Sequence, residues 1–221
     1  MLFRSRKTFD AELLELSREL TAMAGTAQDA IDLVTSSLSQ GGEESAKSAV
    51  ELTESMDQME RDIENRCMSL LMRQQPVARD LRTISAALKM VTDLQRIGDQ
   101  AANIAEISVL MAADGKKPEV PEDLAIMSRQ AGLMVRQAIA AYADRDETTA
   151  QAVVNLDDVV DELFVKIKHD LTERITHQED HTGRAVDLII IAKYLERIAD
   201  HAVNIAQWAI FCVTGEIQLQ A

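Results

Sequence analysis

The sequence predicts an all-α protein built as two tandem, sequence-related three-helix bundles, forming an elongated six-helix molecule. Composition is the first observation behind this. Aromatic residues make up 3% of the 221, with eight glycines and three prolines, whereas helix formers such as Ala, Leu, Met, Glu and Gln abound. Strand-rich domains rarely do without aromatics and turn glycines. The second is periodicity: apolar residues recur at three- and four-residue spacing over long windows. The third is duplication. Leu195-Glu196-Arg197-Ile198-Ala199-Asp200-His201-Ala202-Val203-Asn204-Ile205 nearly repeats Leu94-Gln95-Arg96-Ile97-Gly98-Asp99-Gln100-Ala101-Ala102-Asn103-Ile104.

Each element follows from where the periodicity stops. A first helix over 9–40 ends at Gly41-Gly42, and a second over 43–74 ends at Pro76. A third over 78–112 runs into Asp114-Gly115-Lys116-Lys117-Pro118 and Pro121, the clearest linker in the chain. Beyond it the pattern returns as helices over 122–143, 146–177 and 183–213, separated by Asp144-Arg145-Asp146 and by His181-Thr182-Gly183. Residues 1–115 and 116–221 are thus the two repeats. An offset of 104 places Met127 on Met23, Asp161 on Asp57 and Ile167 on Ile63, while an offset of 101 places Glu196 on Gln95, Asp200 on Asp99 and Asn204 on Asn103. The register step falls at a corner, where a length change costs little. Helices of this length span roughly 45 Å, which suits an elongated bundle.

A formal net charge of −14 excludes nucleic acid and anionic lipid as default partners. It favours divalent metals and basic surfaces of other proteins. Cys67 and Cys212 have no metal-type spacing and read as small buried residues in a reducing compartment. The charged start, Met1-Leu2-Phe3-Arg4-Ser5-Arg6-Lys7, has no apolar run behind it and does not read as a signal peptide. The longest apolar run, Leu188 to Ala192, is too short to span a bilayer.

The repeated motif carries the candidate chemistry. Ile191, Leu195, Ile198, Ala202 and Ile205 form an apolar stripe, as do Met90, Leu94, Ile97, Ala101 and Ile104. At 100° per residue Glu196, Asp200 and Asn204 fall nearly opposite that stripe, on the outer side of their bundle. The preceding helix adds Asp157, Asp158, Asp161 and Glu162, all off its own Leu156, Val160, Leu163, Ile167 stripe. If the two helices pack side by side, their carboxylates and the Asn204 amide oxygen line one oxygen-rich groove suited to Mg, Mn, Fe or Zn. A solvated acidic face is the bland alternative. In the first repeat Asp99 and Asn103 face Glu54, Asp57, Glu60 and Glu64, but Gln95 replaces the glutamate, so a metal there binds less tightly or not at all. His177 and His181 flank a corner, and His201 suits a surface or inter-helix hydrogen bond. Met56, Met59, Met68, Met72 and Met90 fall mostly at core spacing. No Glu-x-x-His, phosphate-cradling loop or nucleophile elbow is present, which argues against an enzyme. A purely structural scaffold, or a metal-dependent enzyme built on the bundle, are the competing readings.

Two tandem bundles, each ending in a Leu-Glu-Arg-Ile-Gly-Asp-x-Ala-x-Asn-Ile-Ala type helix, resemble the PhoU family. So does Gln75-Pro76-Val77-Ala78-Arg79-Asp80-Leu81-Arg82 before the third helix. The resemblance runs from Phe9 to Gly215. It implies a metal signature at Glu196 with Asp200, supported by Asp157, Asp158 and Asp161. In the first repeat it implies Asp99 with Glu54 and Asp57. It further implies a cytoplasmic, non-catalytic regulator, peripheral at the inner membrane through its protein partners. Such a protein represses phosphate uptake and the phosphate-starvation response by linking the phosphate ABC transporter to its sensor histidine kinase. A homodimer is the assembly it implies.

Overall fold

The structure, a computed structural model, describes residues 2–40, 43–73, 77–113, 120–177 and 182–216. Six helices account for nearly all of them: α1 (Leu2–Gln40), α2 (Glu43–Arg73), α3 (Ala78–Ala112), α4 (Glu122–Asp144), α5 (Glu147–Thr176) and α6 (Thr182–Thr214). No strand occurs among the described residues. The helix ends match the sequence reading to within a residue, except that α1 starts at Leu2 rather than near residue 9. The corners expected at Gly41-Gly42, at Pro76, at Asp114 to Pro118 and at His181 lie outside the described residues.

The ends that are described have local causes. Asp80 at the start of α3 accepts the Val77 backbone N–H at 3.3 Å. Arg145 ends α4 in the left-handed region at φ 56°, and Asp146 then donates its backbone N–H to Ala141 at 2.9 Å. By register Arg145 falls where the first repeat has Gly41. Asp146 caps α5, accepting from Thr149 N–H at 3.1 Å and its hydroxyl at 2.6 Å. Those bonds hold its carboxyl below the usual range.

Helices α1, α2 and α3 pack on one another, as do α4, α5 and α6, giving the two bundles. The bundles also pack together, α3 against α6 and α1 against α4, so α2 and α5 lie outermost. Both apolar stripes are buried, from Met90 to Ile104 and from Ile191 to Ile205, and they belong to one continuous core. Helix α1 approaches α4 closely at Gly132, where a Cβ would stand 2.6 Å from the Gln28 amide. Ser128 meets Thr35 across the same junction. Met56 and Met90 are fully buried, but Met68 and Met72 are exposed, against the core placement read from spacing. Met72 lies nine residues past the buried Ile63, about 180° around the helix, and so faces away from the core. Cys67 and Cys212 are buried free thiols, each pushed up to about 12 by burial. Among the described residues no helix is long and apolar enough to cross a membrane.

Candidate functional site

Of the acids that the sequence singled out, the groove between α5 and α6 gathers Asp157, Asp161, Glu196 and Asp200, while Glu162 lies exposed on α5 and does not join them. Burial of Val153, Val160, Ile167 and Leu171 fixes the rotation of α5. Asp157 and Asp161, one turn apart, then face Glu196 and Asp200, one turn apart on α6. Burial pushes the Asp157 carboxyl up to about 6, and the charges of Asp161, Asp200, Asp158 and Glu196 add to it. Asp161 is raised by burial and then by Glu196. Asp200 is raised by burial, Glu196 and Asp161, with Lys193 and His201 opposing. One carboxylate oxygen of Asp157, Oδ1, is buried without a hydrogen-bond partner. Asp158 stands at the exposed rim.

A cation already enters this groove: the Lys193 ammonium pairs with Glu196 and lies 5.3 Å from the centre of the Phe164 ring. One ammonium among four carboxylates leaves a marked negative excess. Among the described residues no three acidic, histidine or cysteine side chains are placed to hold one ion.

Asn204 does not join the groove. Its amide donates to Asp93 Oδ1 on α3 at 3.3 Å, and His201 Nδ1 bonds the same oxygen at 2.9 Å. The reason is helical drift: eight residues past Glu196, position 204 has turned about 80° and faces the other bundle. The outer side of the motif is therefore outer only in part. Its first two turns line the α5/α6 groove, and its last turn is a polar junction between bundles. His201 makes the inter-helix bond expected of it, while His177 lies exposed at the end of α5.

The first bundle is built differently. Asp57 and Asp99 are present where the second has Asp161 and Asp200, but Thr53 and Gln95 stand for Asp157 and Glu196. The Gln95 amide donates to Asp57 Oδ1 at 2.5 Å, and Arg96 pairs with Asp99 at 3.2 Å. Glu60 joins these acids and is raised by burial, then by Glu64, Asp57 and Asp99, with Arg96 opposing. Glu54 lines a separate depression along α2 and α3. Asn103 lies half-buried one turn beyond Asp99. Neutral and basic donors thus meet this groove's carboxylates from within the chain.

Two residues were missed from sequence. Lys193, three before Glu196, was legible as a same-face ion pair. Asp93 carries no local signal, since its position in the second repeat is Tyr194.

Comparison with known proteins bears on both repeats. The family model described as "PhoU domain" matches residues 20–108 and again 124–209. A phosphate-specific transport system accessory protein PhoU homolog from Aquifex aeolicus is 37% identical over 207 residues, covering 93% of each chain. One from Clostridium acetobutylicum is 31% identical over 214 residues, covering 96% of this chain and 97% of its own. The crystal structure of PhoU from Pseudomonas aeruginosa superposes with a TM-score of 0.89 at 32% identity, covering 94% of this chain and 100% of that one. That of the phosphate transport system regulatory protein PhoU from Streptococcus pneumoniae gives 0.88 at 22% identity, covering 96% and 100%, and bears on the fold alone.

Proposed function

The chain belongs to the PhoU family, and from that premise we propose that it is a negative regulator of phosphate uptake and of the phosphate-starvation response. It acts as a non-catalytic cytoplasmic adaptor between a phosphate ABC transporter and the transporter's sensor histidine kinase, as a homodimer held at the inner membrane by its partners. The observation that carries this reading is the near end-to-end match of both repeats to proteins named as accessory proteins of phosphate-specific transport. A long, acidic helical surface suits protein docking.

The α5/α6 groove serves this role as a metal site. Asp157, Asp161, Glu196 and Asp200 hold the ion, with Asp158 at the rim and Lys193 displaced from Glu196. The fit rests on the orphaned Asp157 oxygen and on four hard oxygen donors whose mutual repulsion a multivalent cation relieves. Mg, Mn, Fe and Zn all suit carboxylate donors. The ion supplies charge neutralisation and a cross-link from α5 to α6, which shapes the face offered to partners. In the first bundle Thr53 and Gln95 remove two of the four carboxylates, so the metal belongs to the second. Deletion of the gene in its native host tests the regulatory reading. Starvation genes are expected to be expressed in rich phosphate; their continued repression would sink it.

A further inference from the structure

We propose that the groove between the first half of α2 and the last half of α3 is a docking site for a basic amphipathic helix of another protein. The groove has a volume of about 590 Å³. Its apolar lining runs from the buried Ala46 and Ala105 through the half-buried Val50 and Val109 to a Leu110 that is 71% exposed. Its rim carries Glu51, Glu54 and Glu106, all exposed, with Lys47 the base among the lining residues. An apolar channel between two antiparallel helices is a seat for a third helix, which anchors through residues at i, i+3, i+4 and i+7. The acidic rim selects lysine and arginine on the flanks of that helix.

The duplication supplies a control within the same chain. At the matching positions of the second bundle Asn155 stands for Glu51 and Gln207 for Glu106, while Asp158 keeps the acid of Glu54 and Gln151 replaces Lys47, so two of the three rim acids are gone there. Phe211 stands for Leu110, and it is half-buried and packed edge-on against Trp208, with ring centres 5.7 Å apart. The second bundle folds its apolar residue into its own packing, while the first leaves its own outside within a charged frame. A second copy of this chain is the wrong occupant of this groove, because a symmetric contact here would set Glu51, Glu54 and Glu106 against the same acids of the other copy, so the proposed homodimer uses another face. The inference stands apart from the regulatory and metal readings, and chelator in the assay keeps the metal out of it.

The test uses the full chain and a fluorescent synthetic helix of leucine and lysine in an amphipathic pattern, read by anisotropy. The same helix with glutamate for lysine should bind at least about tenfold more weakly. Leu110→Asp, with helicity checked by circular dichroism, should weaken binding of the lysine helix by about tenfold, the loss of one anchor. Glu51→Lys/Glu106→Lys should weaken it similarly, and Glu162→Lys/Asp170→Lys on the exposed face of α5 should leave it nearly unchanged. Equal weakening by the two charge-reversal pairs would overturn the proposal, reducing it to general attraction to an acidic protein. Binding unaffected by Leu110→Asp would overturn it too, as would a dimer that this substitution converts to monomer.

Discussion

Asp157→Asn should stabilise the metal-free protein at pH 7, although it removes a charged group from a candidate site. The Asp157 carboxyl is pushed from its ordinary 3.8 up to about 6 by burial and four neighbouring acids. In the folded state it therefore holds its proton more tightly than in the unfolded chain. Stability from this group is present below pH 4 and is lost as pH rises through about 6. At 1.36 kcal/mol per pH unit the full shift corresponds to about 3 kcal/mol, which solvent screening in an open groove reduces to about 1–2 kcal/mol. Asparagine keeps the shape without the charge, and the orphaned Oδ1 has no bond to lose. The expected gain is about 2–8 °C in Tm for a chain of this size. The assay is thermal or urea unfolding of wild type and variant in chelator, from pH 4 to pH 8. The difference should be near zero at pH 4 and grow through pH 6. A variant less stable than wild type at pH 7, or a gain independent of pH, would refute the reasoning. With metal present the sign should reverse, because the variant loses a ligand.

Other outcomes follow from the unequal bundles and from their junction. Gln95→Glu replaces the amide that donates to Asp57 with a further carboxylate beside Asp57, Asp99 and Glu60, and should cost about 1–2 kcal/mol in chelator by urea unfolding. The combined Thr53→Asp/Gln95→Glu variant should gain metal in the first bundle, measured by elemental analysis. Asp93→Ala strands His201 and Asn204 at the bundle junction and should cost about 1–2 kcal/mol, whereas a neutral result would mean that water replaces the carboxylate freely. A Cβ at Gly98 would stand 2.9 Å from Met56 Sδ, and the second repeat solves the same contact with Ala199 and Val160. Met56→Val/Gly98→Ala should accordingly be more stable than the sum of its single changes by about 1 kcal/mol, read from a double-mutant cycle.

The helices were legible because each reads locally: long apolar stripes, few breakers, and turn residues where the stripes stop. The α5/α6 groove was legible for a similar reason. Asp157, Asp161, Glu196 and Asp200 lie one turn apart in pairs, and a helical hairpin has few ways to arrange them. The junction of the bundles was not. Asn204 belongs to the acidic stripe by spacing, but eight residues of drift carry it to Asp93 on a helix more than a hundred positions away. Met68 and Met72 show the limit of spacing as a guide, since the stripe that α2 buries runs through Ile63, Cys67 and Leu70 and leaves both methionines exposed. The difference between Glu196 and Gln95 was visible from the start. Its consequence became visible only when Gln95 was found donating to Asp57.

Metal is proposed for the second bundle, and not the first, through Asp157, Asp161, Glu196 and Asp200. Elemental analysis of protein purified without chelator tests it most directly, comparing wild type with Glu196→Ala/Asp200→Ala and with Asp57→Ala/Asp99→Ala. Metal in wild type, retained by the first-bundle variant and lost from the second-bundle variant, is the expected result. Equal metal in all three proteins, or loss confined to the first-bundle variant, would contradict it.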